Sequence, residues 1–166
     1  MKLFFAWLIP LCLWINEDLS KVRACYKVMS ASEKNVEQLI TTVNTSKSIP
    51  LLVKQGYLAA AEMASAKYKF SPLSKLELFN SGKKKLENAI AADSNNLEIR
   101  YLRLTIQHNA PSFLGYNKNI TSDKLFLTTH LHRLKTDDSE LYVLIHTYLV
   151  IYYKVSDVEL KETKSK

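Results

Sequence analysis

The sequence predicts an all-α protein of about six or seven antiparallel helices stacked in one array. Apolar residues recur at helical spacing in successive segments, and helix start signals of the Ser-x-x-Glu and Ser-Pro types precede several of them. Strand-like alternation is confined to a short run, VIYYKV, near the end. With 3 Gly and 4 Pro in 166 residues, the composition differs from that of turn-rich β proteins, and the length favours a single domain.

Each predicted helix has an apolar face or a start signal of its own. Ser30 and Glu33 form an S-x-x-E capping box ahead of the second helix, and Pro50 begins the third. Ser71-Pro72 begins the fourth helix, and Asp137 with Glu140 forms a capping box for the last. The predicted helices cover residues 17–29, 32–43, 50–69, 72–92, 97–108, 121–134 and 138–154.

Residues 1–16, MKLFFAWLIPLCLWIN, have the pattern of a secretory signal peptide. Lys2 is followed by an uncharged, mostly apolar run that is too short for a comfortable membrane span. We therefore expect an exported, periplasmic or envelope-associated protein with a helical domain over 17–157 and a disordered basic tail over 158–166. No A-x-A-like pair marks a cleavage site, so an uncleaved anchor and a buried first helix stay open as alternatives.

The charge balance is basic, with 23 Lys and Arg against 16 Asp and Glu. Such a surface favours contact with anionic lipid head groups or polyanions only as a bias. Short runs such as Lys83-Lys84-Lys85 are typical of a solvated helix face. We expect no nucleic-acid partner, and membrane-surface contact remains an alternative.

The fifth helix, LEIRYLRLTIQH, is apolar on two sides. At 100° per residue, one side carries Ile99, Leu102 and Ile106, and nearly opposite lie Leu97, Tyr101 and Leu104. A helix with two opposed apolar sides needs packed neighbours on both, as in the middle of a stacked array. The polar stripe between the two sides, formed by Arg100, Arg103 and Gln107, is expected to line a groove.

Part of the chain carries a partial repeat signature, in which the positions of the second helix match and those of the first helix do not. Gly82, Leu86, Ala89 and Ser94 have the spacing of the second helix of a tetratricopeptide repeat. Residues 82–120, which contain EIRYLR and APSFLGY, resemble the core of a family of small exported bacterial helical proteins of unassigned function. Residues 71–75, SPLSK, extend the resemblance, which implies an exported, tetratricopeptide-like, right-handed helical array and no particular activity.

The segment HNAPSFLGYNKNI connects the fifth and sixth helices. Pro111 ends the fifth helix, and Gly115 allows a turn with positive φ. The side chains of Phe113, Leu114 and Tyr116 are expected to fold back near Tyr101 and Leu104 as a plug. A second interpretation makes this loop and the polar stripe one recognition site for a carboxylate-bearing ligand. Its candidate binding residues are Arg100, Arg103, Gln107, Phe113 and Tyr116.

Sequence motifs for catalysis are lacking. His130 and His132 stand two positions apart on a helix and point in different directions, so they cannot share a metal. The acids near residue 138 are explained by helix capping. We expect no catalytic residue, no metal and no cofactor.

The last helix, LYVLIHTYLVIYYKV, has two interpretations. It is either buried or exposes a face that docks a partner and carries Tyr142, Tyr148, Tyr152 and Tyr153. The leading functional hypothesis is an exported, non-catalytic scaffold or binding module for a protein or other envelope component. A peripheral membrane protein anchored by its N-terminus is the alternative, and a cryptic hydrolase is the third.

Overall fold

The fold is described from a computed structural model over residues 12–156 and Leu160, with side chains from Glu17 onward. Most of the predicted signal peptide and most of the predicted basic tail lie outside these residues. The all-α prediction is confirmed, since every regular element within the described residues is a helix. The α-helices are α1 Cys12–Val28, α2 Glu33–Thr45, α3 Leu51–Ser65, α4 Pro72–Ala92, α5 Leu97–Asn109, α6 Ile120–His130, α7 Leu134–Asp137 and α8 Ser139–Tyr153.

Side-chain caps fix where several helices begin. Ser32, Ser71 and Asp138 each accept a hydrogen bond from a backbone N–H in the first turn of the helix that follows. The cap of α2 is therefore Ser32 and not the predicted Ser30, and the cap of α8 is Asp138 and not Asp137. Each shift is only one or two positions, because a second residue that can cap a helix lies that close to the predicted one at both sites.

The predicted sixth helix is interrupted. α6 ends at His130, a 3₁₀ turn covers Leu131–Arg133, and the single turn α7 leads to α8. Leu131 of the 3₁₀ turn and Leu134 of α7 are both buried, so the apolar spacing that suggested a continuous helix belongs to a bent segment.

Helices that follow each other in the chain pack against each other from α1 to α6, and α5 also packs on α3. Buried apolar side chains of α5 point to both predicted sides, with Ile99 and Leu102 on one and Leu97 and Leu104 on the other. The prediction that α5 has packed neighbours on two sides is therefore confirmed. A single apolar cluster connects the helices, and no described helix has the length and hydropathy needed to cross a bilayer.

Gly82 lets α4 approach α3 closely. A Cβ atom at this position would lie 2.7 Å from the carbonyl oxygen of Ala59 and 3.0 Å from the backbone nitrogen of Met63. Backbone atoms of a packed helix cannot move aside cheaply, so the two helices would have to separate.

We expect Gly82→Ala to lower the free energy of unfolding by roughly 1–3 kcal/mol through overpacking, despite the better helix propensity of Ala. Gly56→Ala is the matched control, since the tightest contact of its Cβ would be the movable Cδ1 atom of Leu102, at 3.2 Å. Urea unfolding of both variants measures the difference. A Gly82→Ala protein as stable as the Gly56→Ala protein would contradict the close approach.

Candidate functional site

The polar stripe of α5 is largely buried. Arg103 and Gln107 are 5% and 2% exposed, so the expectation that the stripe lines an open groove is wrong for these two residues. The guanidinium group of Arg103 donates from Nε and Nη2 to both carboxylate oxygens of Asp123, at 2.6 and 2.7 Å. Its Nη1 donates to Glu87 at 2.7 Å. The carboxylates of α4 and α6 therefore occupy the positions that a ligand was expected to take.

Electrostatics keep Arg103 charged. Burial alone would lower the pKa of Arg103, but hydrogen bonds to Asp123 and the charges of Asp123 and Glu87 outweigh it and raise the pKa. The buried cation is thus stabilised by the two carboxylates, which is the condition under which an arginine can lie in a protein interior.

Arg100 and Gln107 extend the same network. Arg100 donates to Asp123 at 2.8 Å and to the carbonyl oxygen of Ser94 at 2.7 Å, with its guanidinium group 4.4 Å from the ring centre of Phe126. Gln107 donates to the side chain of Asn119 at 3.3 Å and accepts a hydrogen bond from the backbone N–H of Asn119 at 3.2 Å. The stripe therefore ties α5 to α6 and to the loop before it.

Of the two loop aromatics that were expected to fold back, only Tyr116 does so. Tyr116 is buried, donates to Glu87 at 2.5 Å and meets the ring of Phe79 edge-on at 5.9 Å. It therefore packs on α4, and the expected position near Tyr101 is wrong. Phe113 is 84% exposed, which contradicts its expected place in the plug. Gly115 has the predicted positive φ, 58°.

The sequence analysis missed a second buried arginine, Arg23 of α1. Its side chain is fully buried, and its Nε and Nη2 donate to the two carboxylate oxygens of Glu98 in α5, at 2.8 and 3.0 Å. Its Nη1 and Nη2 also donate to Asp138 at 3.0 and 2.6 Å, and Nη1 donates to Glu140 at 3.2 Å. In the sequence, Arg23 lies directly beside the apolar positions of the first helix. This position next to the buried face was the signal that could have indicated a buried arginine.

Further contacts complete this cluster, which we call the Arg23 cluster: Arg23, Tyr57, Glu98, Asp138 and Glu140. Tyr57 of α3 donates to Glu98 at 2.6 Å, and Asp138 is also the cap of α8. Burial opposes the charge of Arg23, yet hydrogen bonds to Glu98 and Asp138 raise its pKa. One cation therefore fixes the start of α8 against α1, α3 and α5.

An open groove lies along α8 beside α1. Its volume is about 590 Å³, and Tyr101 and Tyr148 contribute to its lining. These two rings meet edge-on, with centroids 5.6 Å apart. Lys27 and Glu140 also line it. The lining is otherwise mostly apolar, and we call it the α8 groove.

The outer row of α8 carries exposed side chains at helical spacing. Val143, Thr147 and Ile151 are exposed and stand four residues apart, so they lie along one face of the helix, and all three line the α8 groove. The opposite side of α8 buries Leu141 and Leu149. The interpretation of α8 as a buried final helix is therefore right for one side only.

The predicted tyrosine face is divided between burial and exposure. Tyr152 is exposed, whereas Tyr142, Tyr148 and Tyr153 are half-buried. The ring of His108 in α5 lies 5.3 Å from that of Tyr152, centre to centre, and its Nδ1 lies 3.1 Å from the hydroxyl of Tyr153. This end of α8 is thus an aromatic cluster that continues into the α8 groove.

Within the described residues, no group of three or more His, Cys, Asp and Glu is arranged to hold a metal ion. The Nδ1 atoms of His130 and His132 lie beside helix carbonyl oxygens, those of Phe126 at 2.8 Å and Thr129 at 3.1 Å. Comparison with protein-family models, with curated proteins and with solved structures finds no match. The family resemblance drawn from residues 82–120 therefore stays a prediction.

We expect Arg23→Met to lower the free energy of unfolding by about 3–5 kcal/mol, because Glu98 and Asp138 would keep their charges without a buried cation. Lys21→Met is the control, since its pair with Glu17 is exposed and solvent-screened pairs of this kind contribute little to stability. Urea unfolding at neutral pH measures both. Equal stability of the two variants would contradict the structural role of the Arg23 cluster.

Arg103→Ala tests whether the α5 stripe is structural. We expect a loss of about 3–5 kcal/mol, because Arg103 donates two hydrogen bonds to the fully buried Asp123 and a third to Glu87, whereas Arg100 supplies only one to Asp123. Arg100→Ala should cost clearly less, since Arg103 still neutralises Asp123. Thermal and urea unfolding of both variants give the comparison. An Arg103→Ala protein with unchanged stability would restore the groove interpretation of the stripe.

Proposed function

We propose that the protein is an exported, non-catalytic helical binding module that holds an apolar helical segment of a partner protein in the α8 groove. The observation that carries the proposal is the row of Val143, Thr147 and Ile151. It leaves apolar side chains exposed along one face of a helix whose other side is packed in the core. Val143 and Ile151 are exposed apolar side chains that line one groove, and grooves lined by apolar and aromatic side chains are where binding sites are usually found.

The spacing of the exposed residues along α8 favours a helix as the bound element. A row of contacts spaced four residues apart fits the apolar face of an amphipathic helix, which presents side chains at the same interval. Aromatic side chains are enriched in the buried centre of interfaces, and Tyr101, Tyr148 and Tyr152 line this surface. Lys27 offers a cation at its edge for an acidic residue of the partner.

The position of α8 is fixed before any partner arrives. The Arg23 cluster holds the start of the helix, and the buried side chains of Leu141, Ile145 and Leu149 pack in the core along its length. A preformed groove costs less ordering on binding than a mobile one, which supports a binding role for this surface.

Two finer features belong to the same proposal. The packing of successive helices from α1 to α6 and the close approach at Gly82 support a tetratricopeptide-like, right-handed stack over 17–157. The apolar run of residues 1–16 supports export by a signal peptide. The intact mass of the exported chain tests the cleavage. Loss of about the first sixteen residues supports a signal peptide, whereas a full-length mass supports an uncleaved N-terminal anchor.

Site-specific photo-crosslinking tests the groove. A benzophenone amino acid at Thr147 should give one discrete adduct with another protein in the native host, joined through an amphipathic helical segment. The same probe at Ser122, an exposed position on α6, is the control. Ile151→Asp, at an exposed site, should reduce the Thr147 adduct at least about tenfold by placing a charge in the contact.

Three results would overturn the proposal: equal adducts from both positions, a Thr147 adduct that Ile151→Asp leaves unchanged, or an adduct consisting only of two copies of this chain. Circular dichroism of Ile151→Asp verifies that the helical fold is retained.

A further inference from the structure

A second apolar surface lies where α3 leads into α4. Phe70 is fully exposed, and Leu73 and Leu76 are 65% and 45% exposed. We call these three side chains the apolar corner. None of them lines the α8 groove, and none takes part in the Arg23 cluster or in the network of Arg103 and Asp123.

Local backbone structure holds the apolar corner outward. A 3₁₀ turn ends at Tyr68, and Lys69 is extended, with φ −82° and ψ 148°. Ser71 then caps α4, with Pro72 in its first turn. Phe70 therefore sits in a short extended link between two helical elements and projects away from both.

The first two turns of α4 stand clear of the core. Leu73 and Leu76 are three residues apart and share one face of the helix. Phe79 is the first residue of α4 to be buried, so the helix enters the core only at that point. The exposed leucines thus form a continuous raised surface with Phe70 and not the floor of a groove.

Basic side chains flank the apolar corner along the chain. Lys67, Lys69 and Lys75 are exposed, and Glu77 is the sole acidic residue between positions 66 and 77. Lys69 and Lys75 make no ion pair with any described residue. A raised apolar tip flanked by lysines is complementary to an anionic bilayer, where apolar groups reach the acyl boundary and ammonium groups remain among the phosphates.

We propose that the apolar corner is a contact site for an anionic lipid bilayer. The side chains of the corner enter the interface, and Lys67, Lys69 and Lys75 pair with lipid phosphates. A protein partner fits less well, because lysine is depleted in protein interfaces. Such a partner would also need a pocket that is complementary to the projecting tip. The contact is reversible, since a few apolar side chains and three cations give modest binding.

This inference rests neither on the proposed partner of the α8 groove nor on the N-terminal segment. The full-length chain is mixed with vesicles of equal parts phosphatidylglycerol and phosphatidylcholine, and with phosphatidylcholine alone, at low salt. We expect co-sedimentation with the anionic vesicles and clearly less with the neutral ones.

One pair of variants tests the apolar contribution. Phe70→Ser should lower the partition coefficient about tenfold or more, because it removes the most exposed apolar side chain of the corner. Phe113→Ser is the matched control, since Phe113 is an 84% exposed phenylalanine in the loop before α6, outside the corner.

A second pair tests the charges. Lys69→Gln combined with Lys75→Gln should lower the partition coefficient about fivefold for each charge removed. Lys84→Gln combined with Lys118→Gln is the control, because it removes the same charge from other exposed positions.

Hydrogen exchange locates the contact on the chain. Backbone amides of residues 66–77 should gain protection on anionic vesicles, whereas those of residues 120–130 should not. This readout separates the apolar corner from binding through residues 1–16, which would leave 66–77 unchanged.

The proposal is overturned by the absence of anionic-vesicle binding, by controls that weaken binding as much as Phe70→Ser does, or by unchanged exchange at 66–77. Association of the chain with itself that Phe70→Ser abolishes, without vesicle binding, would assign the corner to a second copy instead.

Discussion

The burial of one cation, Arg23, constrains the whole helical arrangement. A guanidinium group removed from water is tolerable only where carboxylates surround it, and here they come from distant parts of the chain. Glu98 is 75 residues away and Asp138 is 115 residues away. The first, middle and last long helices must therefore meet at one point, and any arrangement that separates them leaves charges buried without a partner.

α5 connects the Arg23 cluster with the network of Arg103 and Asp123. It supplies Glu98 to the Arg23 cluster and Arg103 to the network around Asp123. Because its two apolar sides are packed as well, α5 has little surface left for a ligand. Its polar groups could have formed a binding site but instead hold helices together. Candidate binding sites therefore lie on the outer surfaces of the helices.

Two such surfaces differ in shape and charge. The α8 groove is concave and aromatic, with Lys27 and Glu140 among its lining residues, whereas the apolar corner is raised and flanked by exposed lysines. Concave aromatic surfaces suit a protein segment, and a raised basic tip suits a bilayer. A module that holds a partner while touching a membrane surface is the combined function these two proposals describe.

The sequence by itself determined the helices except for the break after His130, most of their starts and the two-sided burial of α5, because capping and helical periodicity depend on residues a few positions apart. It could not determine the roles of Arg23 and Arg103, since a guanidinium group can bind either an external ligand or a carboxylate of the same chain. Only the fold brings Glu98 beside Arg23 and Asp123 beside Arg103. Phe113 and Tyr116 looked alike in the loop, yet only the tertiary structure placed the carboxylate of Glu87 where a tyrosine hydroxyl could reach it.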